Sequence, residues 1–368
     1  MSIAGEDDPL ERDYLDLLAR TGLTRRTRQM PQELRERIRR EVFGAPELII
    51  LGAPRDRRAR PEPEPDDSPN FDHMLGEYAA ELEPVLADLQ MPVGHRVLMR
   101  EFPTGSLNAH VLRNRHGALI LVDFGLMMLA YQISKIMMLG INFMETTRSG
   151  IRLFDTLDAG WRPDRTTRAL AQVIGAYFFL GDPTRAPRLR VLEERRRIPQ
   201  QGWFVAAELF AVAHEYAHLI DGHVELMPDF VWDPPDSNNR QAEAVQDEIT
   251  ADQIALRIMV AAAERGLVRH PLHGSVFLFE LERMLDEIAA RLFAARHDYR
   301  SHPDPHSRQE RLLSHAERQG VPVSTNTEFC RTYFAAYTQP VSDVLAEWAE
   351  IPATLQDMIT HPLVSGTH

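Results

Sequence analysis

Residues 203–223 read WFVAAELFAVAHEYAHLIDGH. From Trp203 to Ile220 the segment is apolar nearly all round, the pattern of a helix buried on every side. Polar side chains in such a helix need partners, because an unpaired imidazole or carboxylate is costly to bury. His214 and His218 stand four apart, so on a helix they project from one face. Two imidazoles in that register can share a metal ion, with Glu215 one step round as a base for a metal-bound water. With 15 histidines and 29 glutamates in 368 residues, an H-E-x-x-H arising by chance is expected about one time in twenty. Asp221-Gly222 then supplies a helix stop.

A metal centre needs a third ligand. Gly222 and His223 lie four and five residues past His218, which misses the metzincin spacing. The remaining source is a glutamate on a following helix. RQAEAVQDEITADQIALRIMV (240–260) holds two nested E-x-x-x-D sets, Glu243 with Asp247 and Glu248 with Asp252. Helical phase separates them. At about 100° per residue, Ala244, Val245, Ala251, Ala255, Met259 and Ala262 fall within about 60° of Glu248, and Asp252 lies at about 40°, inside that apolar stripe. Glu243 falls on the polar face with Gln246, Thr250, Gln253 and Arg257. Two carboxylates on a buried stripe call for a metal and a histidine as partners, so Glu248 is expected as third ligand. Asp252 is expected to accept the free N–H of a ligand histidine.

The bulk composition sets the class. A chain of 368 residues can bury one large core or two modest ones. A formal charge of −13 argues against nucleic acid, whose phosphates need a cationic face. Cys330 is the only cysteine, which excludes an internal disulfide. The start, MSIAGEDDPLERD, lacks a basic-then-apolar leader. The most apolar stretch, residues 117–139, carries Asp123, Gln132 and Lys135 and reads as a buried strand leading into a helix, not as a membrane span. A soluble, cytoplasmic protein is expected. One lysine among 41 basic residues points to a GC-rich bacterial genome.

Along the chain, residues 1–53 read as a helical, arginine-rich N-terminal arm and 54–69 as a proline-rich, charged linker. The arm presents either a docking surface for an acidic protein partner or a solvated helix face. Residues 70–368 form the main domain, with a helical insertion at about 127–200. Strands are expected at 95–102, 107–112 and 117–124, and helices at 71–90, 126–145, 164–180, 203–220, 239–265, 273–296, 306–318 and 341–349. The fold class is α+β, mostly helical, with one small sheet. A chain starting near Asn70 is expected to fold.

With these residues placed, the chain resembles the gluzincin peptidases of the HtpX and CAAX-prenyl-protease type. The resemblance rests on HEYAHLIDGH, with its further histidine, on EITAD, and more loosely on LNAHVL, LILVDFGLMML and SHPDPHSRQERLLSH. It implies a zincin-like domain hydrolysing peptide bonds of a protein substrate, with one zinc per chain on His214, His218 and Glu248. A soluble cousin of the phage-exclusion, Lit-like kind would act on a cytoplasmic protein. The resemblance also implies that Asn108, Ala109 and His110 form the edge that pairs with substrate, and that His302 donates to the oxyanion. Arg308 and Arg311 both stand where the family carries its arginine, and His223 is read as a structural residue at the foot of the helix. The rival reading is a regulatory or binding protein on a peptidase scaffold that keeps its zinc.

Overall fold

The computed structural model describes residues 8–21, 49–51, 71–138, 142–147, 150–154, 163–183, 186, 189–191, 194–224, 226–227, 241–293 and 303–348. The arginine-rich stretch after residue 21 and the linker at 54–69 lie outside them. The helices are α1 (Pro9–Thr21), α2 (Phe71–Asp88), α3 (Phe124–Met137), α4 (Pro163–Leu180), α5 (Glu194–Asp221), α6 (Gln241–Glu264), α7 (His273–Phe293), α8 (Pro305–Arg318) and α9 (Thr325–Trp348). The strands are β1 (Ile49–Leu51), β2 (Val97–Phe102), β3 (Ala109–Asn114), β4 (Gly117–Asp123), β5 (Asn142–Thr147), β6 (Gly150–Phe154), β7 (Leu189–Val191) and β8 (Leu226–Met227). The class is α+β, mostly helical with a small mixed sheet.

The sheet runs in the order β2-β4-β3-β8. β4 is central, parallel to β2 and antiparallel to β3. A two-residue turn joins β3 to β4, and Asn114 closes it: its Oδ1 accepts from the N–H of His116 at 2.8 Å and of Gly117 at 3.2 Å. Gly117 takes φ +148° with its α-carbon against the Arg96 carbonyl, where a side chain would collide.

Alternation along β4 builds two faces. Ala118, Ile120 and Val122 join the main core, which the helices cover. Leu119 and Leu121 point the other way and meet Leu10, Tyr14 and Leu17 of α1, together with Leu98 and Phe102 of β2. Polar contacts hold α1 there. Tyr14 donates to the Glu101 carbonyl at 2.7 Å, Asn114 donates to Asp13 at 2.8 Å, and Asp8 pairs with Arg96. The first helix of the expected arm is thus one layer of a three-layer stack.

α5 runs through the middle of the helical layer, against α3, α6, α7, β3 and β4. This is why its sequence is apolar all round. The structure departs from the sequence expectations at four places. The helix expected over 126–145 ends at Met137, and β5 and β6 form a hairpin after it. α5 begins nine residues before the expected Trp203 and runs through Pro199. α9 begins at Thr325, not at 341, and contains Pro340. The short strands β1, β7 and β8 were not expected. Among the described residues, no helix is long and apolar enough to cross a membrane.

Candidate metal centre

The C-terminal half of α5 delivers His214, Glu215 and His218, and all three side chains sit in or at the edge of the core. α6 packs along α5 and brings Glu248 and Asp252, both buried. The stripe expected around Glu248 faces inward, with Ala251, Ala255, Met259 and Ala262 buried, while Gln246 and Arg257 are exposed. The Glu243 side chain lies outside the described residues.

Two imidazoles and one carboxylate converge. The Nε2 atoms of His214 and His218 are 3.1 Å apart, His214 Nε2 is 3.3 Å from Glu248 Oε2, and His218 Nε2 is 3.4 Å from Glu248 Oε1. Ligand bonds of about 2.0–2.1 Å in a tetrahedral zinc site put neighbouring donor atoms about 3.3–3.4 Å apart. The three separations therefore fit one ion between these groups, and their donor atoms all lie within 4.8 Å of one another. The donor set, two neutral nitrogens and one oxygen, suits zinc and leaves a fourth position open.

Burial alone would push the His214 imidazole down, but Glu248 and Asp252 outweigh it and raise the ring to about 10. His214 Nδ1 is 3.0 Å from Asp252 Oδ1 but without the alignment of a hydrogen bond.

Arg308, from α8, locks Asp252 in place. Its Nε donates to Asp252 Oδ2 at 2.9 Å and its Nη2 to Oδ1 at 2.7 Å, a two-pronged pair. The same Nη2 is 3.5 Å from Glu248 Oε2, and the guanidinium lies 4.9 Å from the Phe279 ring centre. Burial would raise the Asp252 carboxyl, but Arg308 and then His214 reverse this and hold it below the usual range. α8 starts where Asp304 accepts from the Ser307 N–H at 3.0 Å with Pro305 at its first position, which sets Arg308 one turn in. Of the two arginines competing in the sequence, Arg308 enters the centre and Arg311 is exposed.

His218 has a different partner. Gly222, at φ +77°, turns the chain back at the end of α5, and the His223 N–H donates to the His218 carbonyl at 3.0 Å. This sets His223 Nδ1 3.2 Å from His218 Nδ1, while His223 Nε2 is 2.8 Å from Asp221 Oδ2 and 3.3 Å from Asp247 Oδ1.

Asn108, Ala109 and His110 lie at the start of β3, the strand packed against α5. Asn108 closes on its own backbone, its Oδ1 accepting from the Ala109 N–H at 3.0 Å. His110 Nε2 is 3.6 Å from Oδ2 of the fully buried Asp123, which also accepts from Ser106. On the side away from β4, β3 pairs with β8 only at Arg113 and Asn114, so among the described residues the outer edge of residues 109–112 meets no strand. His302 lies outside the described residues. Comparison of the chain with family profiles, with curated proteins and with solved structures returns no match.

Proposed function

We propose that this protein is a zinc-dependent endopeptidase with a gluzincin-type centre in a zincin-like domain. The observation that carries the reading is the convergence of His214, His218 and Glu248 at tetrahedral spacing, with the buried Glu215 next to His214 in the chain. When bound, zinc lowers the pKa of a water to about 7 and polarises a carbonyl. His214, His218 and Glu248 would hold the ion, and Asp252 with Arg308 would keep His214 facing it. Glu215 takes the proton of the attacking water and passes it to the leaving amine, as a general base and then a general acid. Asn108, Ala109 and His110, at the start of β3, would pair with an extended peptide that binds as an added strand. A base beside the ligands favours catalysis over a purely structural metal, which would usually be closed by four protein ligands.

The test is metal content followed by cleavage. Purified protein is expected to hold about one zinc per chain. Replacement of His214, His218 or Glu248 by Ala should strip it, and Glu243→Ala should not. Glu215→Gln should keep zinc and fold but abolish the new protein N-termini that appear on expressing the wild type. A wild type without zinc, or a Glu248→Ala variant that retains it, overturns the site. Identical N-termini with wild type and Glu215→Gln, both zinc-loaded, would favour the binding-protein reading instead.

A further inference from the structure

We infer that His223 is the positioning residue of the second ligand histidine, and that Asp221 and Asp247 hold it in that role. The inference rests on the metal reading above and concerns a residue that its spacing alone leaves as a helix terminus.

The chain of contacts leaves each proton one place to go. A His218 ring that gives Nε2 to a metal carries its proton on Nδ1. The neighbour of that Nδ1, at 3.2 Å, is His223 Nδ1. Two Nδ1 atoms at this distance form a hydrogen bond only if one of them lacks a proton, so His223 Nδ1 is the acceptor and His223 keeps its proton on Nε2. That Nε2 faces two carboxylates, Asp221 Oδ2 at 2.8 Å and Asp247 Oδ1 at 3.3 Å. The tautomer required at one end is thus the tautomer stabilised at the other.

The two ligand rings are held in different ways. His214 rests on a carboxylate enclosed in the core and neutralised by Arg308. His218 rests on an imidazole whose own supports are 43% and 42% exposed. The line His218, His223, Asp221 and Asp247 therefore runs from the centre to solvent, on the side of α5 where its chain turns. The backbone bond from His223 to the His218 carbonyl and the positive φ of Gly222 place the ring independently of any metal.

Zinc affinity by competition with a chromophoric chelator tests this, together with the visible spectrum of the cobalt-loaded protein. His223→Leu removes the acceptor and is expected to weaken zinc about 10–100-fold. His223→Asn places a carbonyl oxygen where Nδ1 stood and should recover most of that loss and the cobalt spectrum. The paired Asp221→Ala, Asp247→Ala variant leaves His223 in place and should weaken zinc by a smaller factor of the same kind. If His223→Leu does not fold, His223→Asn beside the paired variant still decides: wild-type affinity in the pair overturns the proposal. Equal affinity in folded His223→Leu and wild type also overturns it, as does an Asn variant no better than Leu. A wild type that takes up no zinc at all would instead remove the metal reading itself.

Discussion

Replacing Asp252 separates two jobs done by one carboxylate. It accepts both prongs of Arg308 at 2.9 and 2.7 Å, and it stands 3.0 Å from His214 Nδ1. Asp252→Ala leaves a buried guanidinium short of its main anion, and breaking a buried pair costs about 3–5 kcal/mol. Glu248, 3.5 Å from Arg308, keeps part of the charge paired, so a loss of about 3 kcal/mol is expected. Arg308→Met leaves the Asp252 carboxylate against His214 alone, with a similar loss of about 3 kcal/mol. Because the double variant leaves neither charge buried without its partner, it should lose no more than either single variant, not the additive figure of about 6 kcal/mol. Zinc follows another rule. Affinity should fall about 10–100-fold in Asp252→Ala and stay down in the double variant, since His214 has lost its acceptor in both. Urea unfolding in the presence of a chelator measures the first quantity free of metal linkage, and chelator competition measures the second. The acid limb gives an internal check. The Asp252 carboxyl lies below its unfolded value of about 3.9, so its contribution is complete above that pH and is lost as pH falls through the folded value. Additive losses in the double variant, or wild-type zinc affinity in Asp252→Ala, would refute the assignment.

Glu208, on α5, is buried and accepts from the Tyr78 hydroxyl at 2.6 Å; burial pushes its carboxyl up to about 8, the bond to Tyr78 offsetting only part. The unfolded chain ionises first, near pH 4.3, so stability should fall as pH rises from there to about 8 and then level off. Glu208→Gln should remove that slope, gaining a few kcal/mol on the wild type between pH 5 and 8; a difference that stays constant across unfolding curves at pH 5, 7 and 9 would show that the group is ionised in the fold. Removing residues 1–69 takes away Leu10, Tyr14 and Leu17, each 7% exposed or less, at about 1.5–3 kcal/mol per side chain. That sum approaches the whole stability of a domain, so the truncated chain should be insoluble or melt far below the full chain, and a shortened protein with an unchanged melting temperature would make α1 dispensable.

The candidate site was legible because its residues obey helical arithmetic. His214 and His218 are four apart, and Glu248 and Asp252 share a stripe whose burial follows from the positions of alanine and methionine. Arg308 and Arg311 were not separable in that way. Three residues apart on one helix, they project only about 60° from each other, and the choice between them is made by where α8 crosses α6. His223 was hidden for a related reason. Its ring reaches His218 only because Gly222 adopts a positive φ, and a Gly-His pair in sequence does not say which way the chain turns.

Other parts of the fold carry a sequence signal that a local rule masks. Cys330, Phe334, Tyr337, Val341 and Leu345 recur at helical spacing and are all buried. They mark the whole of α9, but Pro340 stands among them and breaks the pattern for a reader who expects proline to end a helix. The β5–β6 hairpin gives too short a signal to override the apolar run before it. The case of β4 is different. GALILVD is buried at every position, and a strand apolar on both alternating sets of positions demands cover on both faces. The helices that follow cover one face only. A second cover had to exist, and the amphipathic stripe Leu10, Tyr14 and Leu17 was the candidate upstream. With residues 1–53 read as an arm apart from the main domain, Leu119 and Leu121 have no neighbours, so the strand itself requires α1 in the fold.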